Sequence, residues 1–279
     1  MLSPTAHERQ YAEFDIDLDA WATPKPFGIS GCFRLRNESE FMVQAVESFL
    51  PWLDEAVLVV QPSDDDTVGL AEELALKHDK VRVEHYPFVP YQIGTQEHYQ
   101  EPPNSVHHLV HMSNWALSRC KYSWIAKVEG DVIALSTFAG TVAQVRQNPD
   151  ASRYYGLVIL NLAGDGTKFS ATNPRNHGWD EAVFNNHPRW HFVRHDKWES
   201  VQHWERSGEN ECMGWSLYHM KRCKAGYRDG WNDEVYLEMT PENLAGALQN
   251  YNRRHQYPGN DDPLGESALF EELPNEIAA

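Results

Sequence analysis

The sequence predicts an α/β protein built on an open sheet with helices packed against it, and three observations carry that expectation. A β-like run (Ile29, Cys32, Phe33, with small residues between) leads through Arg34-Leu35-Arg36-Asn37-Glu38-Ser39-Glu40 into an amphipathic helix pattern at Phe41, Val43, Ala45, Val46, Phe49 and Leu50. A second apolar strand, Ala56 to Val60, then stops at the polar run Gln61-Pro62-Ser63-Asp64-Asp65-Asp66-Thr67. Strand, helix, strand and polar loop make one βαβ unit, and open α/β sheets bind ligands at the carboxyl ends of their strands. Third, the apolar strand Trp124 to Val128 delivers Glu129-Gly130-Asp131. Two carboxylates separated by one small residue suit a divalent cation that also holds a diphosphate.

The remaining elements follow in order. Residues 1–26 are polar with a few aromatics and read as an irregular N-terminal arm. From Phe27 to about Val89 the pattern is β-α-β-α-β. The second helix covers Thr67 to His78, with Lys77 and His78 at the end its dipole favours, and the third strand covers Val81 to Tyr86. Pro, Gln and Tyr between Pro87 and Asn104 indicate a loop. A helix from Ser105 to Arg119, the Trp124 strand, a helix from Thr137 to Gln147 and a strand from Tyr154 to Leu162 complete a half spanning 27–162. The second half, 163–256, is dense in Trp, His, Asn and Asp and reads as loop-dominated site architecture, with weak strand and helix patterns at Gly214 to Cys223 and Pro241 to Asn250. An acidic tail occupies 257–279.

Composition limits the function classes. At 279 residues with 41% hydrophobic and 12% aromatic content, the chain can bury a large core. A formal net charge of −17 argues against nonspecific nucleic-acid binding and against a polybasic membrane anchor. The four cysteines, Cys32, Cys120, Cys212 and Cys223, have no CxxC spacing and read as scattered reduced thiols. With neither a signal-peptide core nor an apolar run of membrane-spanning length, the expectation is a cytoplasmic protein, with peripheral contact at the inner membrane face left open.

The order of motifs resembles the GT-A fold glycosyltransferases, family-2-like in particular, over residues 28 to 162. In that family the first strand ends in an Arg-Asn-Glu-type turn, here Arg34 to Glu38. The second strand ends in a loop closing on Ser-x-Asp-x-Thr, here Ser63 to Thr67, and an Asn-bearing helix, here Asn114-Trp115-Ala116-Leu117, precedes the acid-x-acid motif. The resemblance implies a GT-A fold and a metal-dependent transfer of a sugar from a nucleotide-sugar donor to a glycan or lipid-linked acceptor, with inversion, in a setting such as polysaccharide biosynthesis. Two departures stand out. Val60 and Gln61 replace the paired acids that open the second loop, and Glu129 replaces the first Asp of the metal motif.

Residue by residue, the resemblance assigns the cation, Mn²⁺ or Mg²⁺, to Glu129 and Asp131. His219, in Trp215-Ser216-Leu217-Tyr218-His219, stands where the family often supplies a third ligand. Arg34, Arg36, Gln61, Ser63, Asp65 and Asn114 are the donor-binding candidates, and Lys221 or Arg222 would face the diphosphate. Asn176-His177-Gly178-Trp179-Asp180-Glu181 resembles the turn that precedes the catalytic acid, so Asp180 and Glu181 lead as general base, ahead of Asp196 and Glu199. Bland readings stand beside these: Glu129 and Asp131 as a solvated turn, the Asp64 to Asp66 run as a helix cap, and the tryptophans as core packing. His107 and His111, spaced i and i+4, match two zinc ligands on a helix, but no Glu lies between them in the metalloprotease pattern. A nucleotidyltransferase and a catalytically silent sugar- or nucleotide-binding domain are the rivals. Oligomeric state is not legible.

Overall fold

The computed structural model describes residues 11–147, 149–170, 181–195, 199–203, 210–225 and 236–247. The chain divides into two compact units. One comprises Met1–Asn37, Leu53–Lys127 and Phe184–Gly208; the other comprises Glu38–Trp52, Val128–Val183 and Glu209–Ala279. The open mixed sheet flanked by helices is present. Its strands pair parallel in the first unit, and both parallel and antiparallel in the second.

In the first unit β1 (Ile29–Leu35), β2 (Glu55–Val60) and β3 (Val81–His85) are parallel, in register from Ser30↔Glu55 to Leu35↔Val60 and from Ala56↔Val81 to Val60↔His85. Next to β1 on its other side runs β4 (Trp124–Glu129). All six residues of β2 are buried, as expected of a central parallel strand covered on both faces. The small residues of β1 have a steric reason: a Cβ at Gly31 would lie 2.5 Å from Leu53 Cδ1. Below the strands, buried Glu55 accepts hydrogen bonds from Ser30 Oγ (2.7 Å) and Lys121 N (2.5 Å). Asn186 is fully satisfied as well, accepting from Trp21 Nε1 (2.7 Å) and donating to the carbonyls of Cys120 (2.9 Å) and Tyr122 (2.8 Å).

Helix α1 (Leu18–Ala22) is capped by Asp17, so the N-terminal arm is more regular than its polar composition suggests, and Trp21 anchors it at 3% exposure. Between β2 and β3, α3 (Thr67–Lys77) buries Thr67, Ala71 and Leu74. The expected loop after β3 contains a short helix, α4 (Gln96–Gln100). Helix α5 (Leu109–Ser118) starts four residues later than its pattern suggests, because His108 adopts an extended conformation and its Nδ1 caps Val110 N at 3.0 Å. His107 therefore precedes the helix, and His111 Nε2 hydrogen-bonds the Phe14 carbonyl at 3.0 Å, so the i, i+4 zinc pairing is not formed. Strands β9 (Trp190–Arg194) and β10 (Glu199–His203) form an antiparallel ribbon.

The second unit holds α2 (Met42–Phe49), β5 (Val132–Ala134), α6 (Phe138–Gln147), β6 (Tyr154–Ala163), β7 (Lys168–Ser170), β11 (Asn210–Arg222) and β12 (Tyr236–Glu238). Strand β8 (Ala182–Asn185) begins in this unit, beside β6. At thirteen residues β11 is far longer than the weak pattern at Gly214 to Cys223 indicates. It runs parallel to β6 with three register shifts, which break the period-2 alternation that sequence reading depends on. Its residues Leu217 to His219 pair antiparallel with β5, placing His219 opposite Val132. Val158, Leu160, Leu162, Phe169, Met220 and Leu244 form the core here, and Phe49 packs edge-on against Phe138 at 5.1 Å. Among the described residues no helix is long and apolar enough to cross a membrane.

One buried pair makes stability pH-dependent. His98 and His108 are 1% and 0% exposed, and their rings stack at 4.7 Å. Burial first, then the neighbouring His98 and Arg194, push His108 down to about 4. The unfolded chain takes up this proton near pH 6.5 and the folded chain only near pH 4, so stability is lost as pH falls across that window. His108→Asn keeps a cap acceptor for Val110 and removes the imidazole. Urea midpoints at pH 7 and pH 5 are expected to show wild type losing roughly 1–2 kcal/mol more than the variant. Parallel losses would show that His108 does not carry the effect.

Candidate functional site

In the second unit, chain geometry gathers three of the sequence candidates. Strand β4 ends at Glu129, Gly130 turns the chain, and Asp131 enters β5, with its carbonyl accepting from Met220 N at 2.8 Å. The antiparallel β5–β11 pairing then sets His219 beside the turn. One ligand-type atom from each of Glu129, Asp131 and His219 lies within 4.8 Å of the others. His219 Nε2 is 3.4 Å from Asp131 Oδ1 and 4.0 Å from Glu129 Oε2.

The ring orientation of His219 is fixed from behind. Asn161, its register partner on β6, accepts a hydrogen bond through Oδ1 from Nδ1 at 2.9 Å. An amide oxygen only accepts, so Nδ1 carries a proton and Nε2 is turned toward the two carboxylates. Nε2 is buried and makes no protein hydrogen bond. A buried imidazole nitrogen aimed at two carboxylate oxygens, with its other nitrogen held by a polar group, is the arrangement of a metal ligand and its support. Two carboxylates and one imidazole fit a divalent cation of the Mn²⁺ or Mg²⁺ type.

Two further residues belong to this cluster. Lys224 Nζ lies 2.6 Å from Asp131 Oδ2 and 2.7 Å from Glu38 Oε2. Burial would raise the Asp131 carboxyl, but His219 and Lys224 outweigh it and hold the group well below the usual carboxylate range. Glu38 goes the other way: burial, then Asp131, push it up to about 7 against the pull of Lys224. Lys224 keeps its charge, because Asp131 and Glu38 outweigh its own burial. The cation at the site is therefore Lys224 and not Lys221 or Arg222. Lys221 is exposed, and Arg222 lies over the Tyr236 ring at 5.7 Å and hydrogen-bonds its hydroxyl.

The donor-binding candidates lie in the first unit, Asn114 on α5 and the others at the carboxyl ends of β1 and β2. Asn37 takes φ of 56°, a left-handed conformation that Asn tolerates better than most residues. Its side chain accepts from Asp64 N at 2.8 Å, and its own N–H donates to Ser63 Oγ at 3.2 Å. Ser63 Oγ in turn donates to the Gln61 carbonyl at 3.1 Å, and the Gln61 residue is 7% exposed. Asp65 Oδ1 accepts from both N (3.0 Å) and Oγ1 (2.5 Å) of Thr67, the first residue of α3, while Asp66 occupies the N-cap position. Arg36 is exposed.

Arg34 and Asn114 are engaged with the β9–β10 ribbon. Arg34 donates to Ser113 Oγ at 2.5 Å, stacks over Phe192 at 4.9 Å and faces Glu199 at 3.9 Å. Asn114 grips the backbone of Phe192 twice, donating to its carbonyl (3.0 Å) and accepting from its N–H (2.7 Å). Of the base candidates, Glu181 is 1% exposed, and its carbonyl accepts from Leu157 N at 3.0 Å. Asp180 and Asp196 lie outside the described residues.

No protein-family model and no curated protein matches the chain. Among solved structures it is similar to S. aureus TarS 1-349 in complex with UDP-GlcNAc, at 14% identity and a TM-score of 0.46, over 88% of this chain and 72% of that one. It is similar to the Mycobacterium tuberculosis glucosyl-3-phosphoglycerate synthase in complex with Mn²⁺, UDP-glucose and phosphoglyceric acid, at 15% identity and a TM-score of 0.35, over 57% and 49% of the two chains. For GalNAc-T7 with UDP, GalNAc and Mn²⁺ the values are 13%, 0.35, 50% and 24%. In another pairing the chain spans 60% of TarS 1-349, and it spans 43% of the longer TarS structure.

The double grip of Asn114 on Phe192 generates a test. Asn114→Ala is expected to lower unfolding free energy by about 1–3 kcal/mol, since it leaves two backbone groups without partners. Urea denaturation measures this, and an unchanged midpoint would remove Asn114 from the supports of the ribbon.

Proposed function

We propose that the chain is a metal-dependent glycosyltransferase of the GT-A type, moving a sugar from a nucleotide-sugar donor to a glycan or lipid-linked acceptor with inversion. The supporting observation is the convergence of Glu129, Asp131 and His219 within 4.8 Å, at the end of the strand where the sequence resemblance calls for the metal motif. Asp131 and Glu129 would hold the cation through carboxylate oxygens and His219 through Nε2. The single imidazole favours Mn²⁺ over Mg²⁺, whose coordination is almost wholly oxygen. When bound, the cation would offset the charge that builds on the departing diphosphate.

Arg36, Gln61, Ser63 and Asp65 are the proposed donor contacts. Gln61 takes the position of the family's base-holding acid and would use its amide for hydrogen bonding. Arg34 and Asn114 would serve the donor indirectly, by fixing β9. The general base is assigned to the Asp180–Glu181 turn, whose carboxylate would take the acceptor hydroxyl proton as that oxygen attacks the anomeric carbon. A nucleotidyltransferase reading is less favoured, because its Gly-rich phosphate loop would have to come from Gly28 to Gly31. Here Gly31 lies within β1 under Leu53.

Thermal shift with UDP tests the proposal. A saturating nucleoside diphosphate is expected to raise Tm in Mn²⁺ and not in EDTA, by mass action on the native state. Asp131→Asn is expected to abolish that shift while the chain still unfolds cooperatively. Turnover should release nucleoside diphosphate, and release of pyrophosphate would select the nucleotidyltransferase. Nucleotide binding without turnover across a donor panel would select a silent binding domain.

A further inference from the structure

We infer, on the metal-centre reading above, that Lys224, held by Glu38, is the positioning residue that turns Asp131 toward the cation. Asp131 divides its two oxygens. Oδ2 receives Lys224 Nζ at 2.6 Å, and Oδ1 faces His219 Nε2 at 3.4 Å, a nitrogen that also lies 4.0 Å from Glu129 Oε2. A carboxylate fixed at one oxygen loses rotation about its Cβ–Cγ bond, so the other oxygen is presented in one direction. Lys224 and His219 thus approach different oxygens of Asp131.

Glu38 completes the device. Its Oε2 binds Lys224 Nζ at 2.7 Å, so the ammonium is shared between Glu38 and Asp131 Oδ2. The neighbouring Glu40 carboxylate accepts from Ala225 N at 3.0 and 3.1 Å and fixes the backbone next to Lys224. Two independent contacts thus staple the turn ahead of α2 to the segment after β11. Support of this kind around a metal ligand is worth about 10- to 100-fold in metal affinity.

Mn²⁺ binding to the full chain, read by electron paramagnetic resonance of free and bound Mn²⁺, tests the inference. Lys224→Met is expected to weaken binding by about 10- to 100-fold and to broaden the bound spectrum, and Lys224→Arg to recover most of the affinity. Glu38→Gln leaves the lysine in place but loosens it, and is expected to weaken binding in the same direction by a smaller factor. It also serves as the readout if circular dichroism shows Lys224→Met to be misfolded. If Lys224→Met or Glu38→Gln binds Mn²⁺ as tightly as wild type while Asp131→Asn loses it, the positioning role is overturned and the metal centre stands. If Asp131→Asn keeps wild-type affinity, the metal centre itself is wrong and the inference falls with it.

Discussion

A carboxylate with 3% exposure has to be matched by positive charge, and the second unit is organised around that requirement at Asp131. Its backbone position comes from the β4–β5 turn, which β11 fixes by pairing with Val132 and by the Met220–Asp131 hydrogen bond. The compensating groups come from far along the chain: His219 on β11, Lys224 just beyond it, and Glu38 before α2 to hold the lysine. Asn161, on the strand parallel to β11, sets the tautomer of His219. Breaking such a buried pair at one partner leaves an uncompensated charge, which is far more damaging than losing a surface bridge.

The first unit uses polar side chains differently. Its loops at the strand ends satisfy one another: Asn37 with Ser63 and Asp64, Asp65 with Thr67. Loops closed in this way are preorganised, which is what a ligand-holding segment requires if binding is not to be weakened by ordering. Arg34 and Asn114 reach from β1 and α5 to the β9–β10 ribbon, so residues that look like ligand contacts in the linear sequence act here on the protein's own backbone. Trp190 is 3% exposed and packs against Phe184, in line with the core-packing reading of the tryptophans.

Local sequence made much of this legible. The unbroken apolar runs of β2 and β4, the amphipathic spacing of α2 and the polar breaks at strand ends are short-range signals, and the elements formed within a residue or two of the expected bounds. Asp131 and Glu129 stood out because an acid pair after an apolar strand is unusual. Strand β11 is hard to read because its register shifts destroy alternation, and the start of α5 is hidden because a histidine, in place of the usual Ser, Thr, Asp or Asn, caps it.

By itself the sequence determined the α/β class, the order of elements and the acid pair, since each depends on interactions between residues close in the chain. Only the tertiary structure decided what surrounds that pair. Lys224 and Glu38 are 186 residues apart, and although the Arg-Asn-Glu-type turn marks Glu38, nothing in the sequence pairs it with Lys224. Charge compensation is a property of distance in space. Strand register brings Asn161 to His219, and the turn before α2 brings Glu38 to Lys224. No local pattern encodes either meeting, because the free energy that selects it arises only when the fold excludes water from Asp131.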